Sequence, residues 1–325
     1  MGRRFVMIMT ENVAYGTKNV AWATGTAKSL QFIDYEIEPN RNPTIPVESD
    51  RMTPTFGHVG GFVATGDLKM YARPDSIGHL LLYLWGAVTP TICGDGPIYK
   101  NRFTFAEGVD SFSMMVDYGL SLNALFNLGT VVKKLTLEAN MGDPAIATWN
   151  CQVKNQDTSA ALTAVGTLPL LRPFHLADAT IVQGVTTLKA ESIRLEIERD
   201  IPDDAHTSGG ILLPNISEEG FRITGELEVR FETLTQMQEF FGGSAKTAPD
   251  TEIGTLAVTM SFSGPPTGDA DKANYTLDVN LPTCVLTSHR APINTRERLR
   301  QTIGFEALYS ATNYMDLYNA TNGYT

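Results

Sequence analysis

Gly61-Phe62-Val63-Ala64-Thr65-Gly66-Asp67-Leu68 returns later in the chain as Gly220-Phe221-Arg222-Ile223-Thr224-Gly225-Glu226-Leu227. Five of the eight positions are identical, and the seventh is acidic in both copies. Upstream, Ile33-Asp34-Tyr35-Glu36-Ile37-Glu38 is echoed by Ile193-Arg194-Leu195-Glu196-Ile197-Glu198. The offset is 159 residues for the first match and 160 for the second. Two matches in the same order at nearly one offset describe a tandem duplication, which must be settled before any fold is assigned. A duplicated β module is suited to sitting beside copies of itself.

Each matched segment alternates. Ile33, Tyr35 and Ile37 share one face, with Asp34, Glu36 and Glu38 on the other; Ile193, Leu195 and Ile197 oppose Arg194, Glu196 and Glu198 in the same way. Period two with one apolar face predicts half-buried strands. The second matched strand puts Phe62, Ala64, Gly66, Leu68 and Met70 inward against Thr65, Asp67 and Lys69. Its repeat sets Phe221, Ile223, Leu227 and Val229 against Arg222, Thr224, Glu226, Glu228 and Arg230.

Both strands lead into a helix. Pro74-Asp75-Ser76 starts the first, Ile77, Leu80, Leu81, Leu84 and Trp85 form its stripe, and Gly86 stops it. In the second, Thr233 and Gln236 have capping-box spacing; Leu234, Met237, Phe240 and Phe241 form the stripe before Gly242. Later strands also match, Phe112–Tyr118 with Leu256–Phe262, and Trp149-Cys151-Val153 with Leu277-Val279-Leu281. The expected fold is mainly β with minor α: two tandem β-sandwich modules, each with one helix. The divisions are an N-terminal arm at 1–24, a first module at 25–165 and a second at 166–325. Long polar loops at 39–60 and 199–219 recur in both halves, and loops of that length usually have a function. Pro43, Pro46, Arg51 and Pro54 in the first loop, and Asp203, Asp204 and His206 in the second, are its candidate contact residues.

The formal net charge of -11 excludes a protein built to grip phosphates, which needs clustered Lys and Arg. Arg296-Glu297-Arg298-Leu299-Arg300 is the densest basic stretch, short and interrupted, and reads as a solvated surface. Three scattered cysteines, Cys93, Cys151 and Cys284, give no disulfide framework and suit a reducing cytoplasm. The apolar run Phe5–Met9 is too short for a signal-peptide core, and no run approaches a membrane span.

The five histidines lack metal-ligand spacing, and neither a phosphate loop nor a nucleophile elbow occurs. Gly268-Asp269-Ala270-Asp271 lacks the rest of a calcium loop and reads as a hairpin turn. The pairs Glu36/Glu38 and Glu196/Glu198 lie on one strand face without evident partners, as expected for a charged surface rather than catalytic carboxylates. No catalytic, cofactor-binding or metal-binding residue is expected.

The order of elements resembles the large tail tube proteins of long, non-contractile-tailed bacteriophages. The resemblance runs from Glu11-Asn12-Val13-Ala14-Tyr15-Gly16-Thr17, similar to the family's early Glu-x-x-x-x-Gly-Thr segment, to the closing Leu317–Tyr324 strand. Between them lie Gly66, the Pro74–Gly86 helix and Phe103-Thr104-Phe105 before Ser111-Phe112. Asn101-Arg102 stands where the family often has a His before the Phe-Thr-Phe-like segment. The resemblance implies a β-sandwich whose inner sheets join around a ring, with rings stacked into a siphovirus tail tube for DNA ejection. The long loops would touch neighbouring rings. Asp34, Glu36, Glu38, Asp67, Lys69, Glu196, Glu198, Glu226 and Glu228 would face the lumen. Implied partners are further copies of the chain, a tape-measure protein, terminator and distal tail proteins, and DNA passing without specific binding. The implied location is the virion tail, after assembly in the host cytoplasm.

With about four strands per half, spaced about 4.8 Å and tilted about 40°, six halves give a backbone radius of about 24 Å and a bore near 40 Å. Two halves per chain then mean a homotrimeric ring of pseudo-sixfold symmetry. The alternative is a non-phage carbohydrate-binding or cell-surface β-sandwich protein, which calls for a monomer and an aromatic ligand platform.

Overall fold

The alternating segments pair edge to edge into one antiparallel array that crosses the boundary between the repeats. The computed structural model describes residues 4–324 other than 12–14, 18–26, 42, 44, 46–52, 54–56, 58–59, 109, 120–123, 160–167, 169, 204–209, 244–245, 252 and 294–298. In the first half the strands are β1 (Phe5–Thr10), β2 (Lys28–Leu30), β3 (Asp34–Tyr35), β4 (Glu38–Arg41), β5 (Phe62–Tyr71), β6 (Gly86–Ile92), β7 (Tyr99–Phe105), β8 (Phe112–Asp117), β9 (Leu125–Asn140) and β10 (Ile146–Asp157). In the second they are β11 (Ala179–Gln183), β12 (Thr186–Leu188), β13 (Ala190–Asp200), β14 (Gly220–Arg230), β15 (Thr255–Pro266), β16 (Asn274–Arg290), β17 (Arg300–Ala307) and β18 (Tyr314–Asn319). Helix α1 (Ile77–Trp85) follows β5, and α2 (Thr235–Phe241) follows β14.

The central layer has eight positions in the order β3/β4, β5, β10, β9, β13, β14, β17, β16, with every pair antiparallel. The first four positions come from one repeat and the last four from the other. Their junction is a seam in which Lys134–Asn140 of β9 pairs with Ser192–Glu198 of β13. β9 and β16 are long enough to serve two layers. The N-terminal part of β9 joins β8, β1 and β2, and that of β16 joins β18, β7 and β6. The main core spans both halves, with Trp85, Trp149, Phe103, Phe262 and Phe305 fully enclosed, and a smaller cluster around Phe5, Met7, Met115 and Phe126 lies apart from it. The halves therefore share both sheet and core.

Register gives the structural correspondence directly. Leu68 pairs with Tyr35 and Trp149, whereas its repeat mate Leu227 pairs with Ile193 and Ile303. Tyr35 thus stands where Ile193 stands, two residues from the sequence match of Ile33 with Ile193. An even slip leaves every side chain on its face. By the same register Trp149 corresponds to Ile303, and Leu135 of β9 to His289 of β16. The expected match of the Trp149 strand to the Leu277 strand is corrected accordingly. The match of the Phe112 strand to the Leu256 strand holds, because β8 pairs directly with β9 and β15 with β16.

Four further expectations change. Residues 5–10, assigned to an arm, form a strand buried on both faces between β2 and β8. A continuous run Phe5-Val6-Met7-Ile8-Met9 is what such a strand requires. Ile33 is exposed, although its backbone N–H donates to the Lys69 carbonyl at 2.7 Å. Thr233 forms no capping box: α2 starts one residue later, and Gln236 is buried, accepting a bond from Gln301. Leu234 and Phe240, placed in the core stripe, are exposed.

The repeated glycine serves a different purpose in each half. At Gly66 (φ 154°) a Cβ would lie 2.1 Å from the Glu36 carbonyl oxygen, so glycine admits the adjacent strand's irregular backbone. At Gly225 it would lie 2.2 Å from the Phe305 ring, so glycine there accommodates a side chain.

Candidate functional site

One face of the central layer covers the core and the other meets solvent. Alternation carries Asp34, Glu36, Glu38, Asp67, Lys69, Glu196, Glu198, Glu226 and Glu228 to the solvent face, all exposed or half-buried. The structure thus brings together, on one surface, every residue expected to line a lumen. It also brings Lys134 and Arg300 to the face, beside Arg194 and Arg222. Lys134 meets Glu196 at 2.8 Å, and Arg194 meets Glu196 at 2.7 Å and Glu138 at 3.5 Å. Arg222 grips Glu306 at 2.8 and 2.7 Å, while Arg300 reaches Glu191 and Glu228.

Glu196 therefore has partners, contrary to its sequence reading. Its burial raises the carboxyl pKa, but Lys134 and Arg194 outweigh that and leave it below the usual carboxylate range. Glu306 is likewise held low, by its hydrogen bonds from Arg222. Exposed pairs of this kind add little to stability. Their main effect is to break the acidic surface into an interleaved ladder of acids and cations.

Of the loop candidates, Pro43 and Asp203 are exposed. Pro46, Arg51, Pro54, Asp204 and His206 lie outside the described residues. The base of the second loop is anchored by Arg199 at the end of β13, and Arg199 has no exposed surface. Its guanidinium donates to the carbonyls of Leu84 and Ala106 and pairs with Glu218 at 2.8 Å. It lies over Phe105 and Phe221, 5.0 and 5.6 Å from the ring centres. A guanidinium suits this position because its planar fork satisfies several acceptors while stacking on aromatic faces. The sequence reading passed over it, although Arg199 follows Ile193, Leu195 and Ile197 on the inward face of β13, where a charge requires buried partners.

The Glu11…Gly16-Thr17 segment closes on itself: Gly16 N–H donates to Glu11 Oε2 at 2.9 Å. The same carboxylate accepts bonds from Ser111, Ser113 and the Gly129 backbone, tying the segment to β8 and β9. Asn101 and Arg102 hold the last strand. Asn101 bonds Asn319 and the Thr321 carbonyl. Arg102 makes two bonds to Asp316, at 2.8 and 2.7 Å, and stacks 3.7 Å from the centre of Tyr314.

Cys151 is buried, and burial pushes its thiol up to about 12. His79 lies in α1 edge-on to Tyr324, and burial, assisted by Lys28, lowers it to about 4. Gly268–Asp271 is the turn between β15 and β16. Among the described residues there is no His/Cys/Asp/Glu cluster able to hold a metal, and no helix long and apolar enough to cross a membrane.

Among the described residues the central layer ends in two edges with no further strand beyond them. β3 and β4 pair only with β5 among the described residues, leaving their outer side unpaired. At the other end, β16 loses β15 after Val285, so among the described residues Leu286–Arg290 is paired only on the β17 side.

A family model described as "Phage tail tube protein" matches residues 3–307. No curated protein matches the chain.

Proposed function

The chain belongs to the phage tail tube protein family, a structural family of the virion tail, and we propose that three copies close into each ring of its tube. The observation that carries this reading is the eight-position central layer, four positions per repeat, open at both ends. Twenty-four such strands, at about 4.8 Å spacing and about 40° tilt, enclose a bore near 40 Å, wide enough for a DNA duplex. The charged face would line the bore, and its interleaved acids and cations suit transit better than binding. The modules at 25–165 and 166–325 are the two quasi-equivalent wedges. The loops expected at 39–60 and 199–219, which begin only after Arg41 of β4 and Asp200 of β13, would meet neighbouring rings, and the tape-measure, terminator and distal tail proteins would be its other tail partners. Assembly in the host cytoplasm, within a siphovirus tail, completes the proposal.

Negative-stain microscopy of the purified chain, concentrated until it polymerises, tests it. Stacked rings with pseudo-sixfold outline and a central hole are expected. A compact monomer at every concentration, or rings of other than three chains, would overturn it.

A further inference from the structure

Arg199 and Arg41 occupy the same place in the two repeats. Arg199 is opposite Phe221 across β13 and β14, and Arg41 is opposite Phe62, the repeat mate of Phe221, across β4 and β5. Each guanidinium lies over its own phenylalanine, at 5.6 Å for Arg199 and 5.9 Å for Arg41. Their surroundings differ completely. Arg199 is enclosed because α1 ends over it, and α1 belongs to the other half of the chain. Arg41 is exposed at the open β4 edge.

At the opposite edge the complementary part stands uncovered. β16 corresponds to β9, so α2 beside β16 corresponds to α1 beside β9. With both helices stopping at a glycine, Phe240 corresponds to Leu84, whose carbonyl receives Arg199. Phe240 is exposed, an unusual state for a residue in an apolar stripe. We propose that Arg41 seats beneath the C-terminal end of α2 of a second copy, repeating between chains the lock that Arg199 forms within one. The proposal rests on the ring reading and adds its joint.

The internal seam also supplies the register. Thr136 faces Glu196 there, and their counterparts are Arg290 and Glu38. Glu38 of one copy would therefore sit directly opposite Arg290 of the next, an opposite-charge pair on the solvent face. Among the described residues both lie on edge segments that pair on one side only, which leaves each edge backbone groups to offer a second copy.

Two measurements on the full-length chain test the joint. Arg41→Ala should fold as the parent does, because Arg41 is exposed in a single chain. It should nonetheless need roughly tenfold or more higher concentration to assemble, as loss of a buried interface arginine does. Arg41→Lys should not restore assembly, because an ammonium lacks the fork. In the second test, Glu38→Cys combined with Arg290→Cys should form interchain disulfides on mild oxidation of assembled material. Glu36→Cys with Arg290→Cys, two residues out of register, should link roughly tenfold less, given the narrow geometry a disulfide allows. Assembly of Arg41→Ala at the parental concentration, or equal linking by both cysteine pairs, would overturn the joint while leaving the tube reading intact. Failure of the parent chain to assemble at all would instead overturn the tube reading, and the joint with it.

Discussion

Gly225 lies against the Phe305 ring with no room for a methyl group: a Cβ on Gly225 would come within 2.2 Å of Phe305 Cζ. Phe305 is itself buried in the shared core and has nowhere to go. Gly225→Ala should destabilise the chain by about 1–3 kcal/mol, the usual cost of overpacking. Phe305→Leu in the same chain should recover part of that loss. At Gly66 the obstacle is the Glu36 backbone, so Gly66→Ala should destabilise too, without rescue from Phe305→Leu. Melting temperatures of the single and double variants give the comparison.

Arg199→Met should cost about 3–5 kcal/mol, because it leaves Glu218 and two carbonyls without their donor in a covered site. Arg199→Lys should recover little, since a point charge cannot serve Leu84, Ala106 and Glu218 together. Denaturant titration of the three proteins checks both statements. Arg199 variants should lose stability in the isolated chain, whereas Arg41 variants should lose only assembly.

Stability should fall as pH drops from about 6.5 toward 4. His79 is held neutral by burial in the folded chain, and its folded pKa is below its unfolded value. The unfolded state therefore binds more protons in this window, and stability rises with pH through it. His79→Leu should flatten this part of the profile, measured as midpoint denaturant concentration against pH. The remaining decline at lower pH belongs to carboxylates such as Glu196 and Glu306, whose folded pKa values are depressed.

Charge reversal at Glu198 and Glu226 tests the lumen. Both are exposed on the solvent face away from the open edges, and such surface changes usually alter stability by less than about 0.5 kcal/mol. Tubes should form normally, while ejection of DNA from phage carrying the variant should slow and become more salt-sensitive. Ejection at the parental rate would count against lumen placement.

The solvent face, the strand repeat and both helices were legible because they rest on local alternation and helix stops. Other features were hidden for physical reasons. β9 was missed because its first part, Phe126 to Val132, is buried on both faces and shows no period. Only its second part alternates, Leu135, Leu137 and Ala139 against Lys134, Thr136 and Glu138. β1 was hidden by the same two-sided burial. The two-residue slip between repeats could not be seen, since an even shift preserves the pattern. Lys134 and Arg199 reach their partners only through pairings distant in sequence, which no window can register. Five loop candidates, Pro46, Arg51, Pro54, Asp204 and His206, lie outside the described residues.

The seam between β9 and β13 has a kinetic meaning. In the proposed ring every second joint is closed inside one polypeptide, at the high effective concentration of a tether. Closing a ring from three bodies rather than six forfeits translational and rotational freedom fewer times. A tethered joint can also drift in sequence without matching its untethered counterpart. Arg194 now stands at the inner joint where Glu36 stands at the outer one, so the covalent link has let two once-identical contacts become different adhesives.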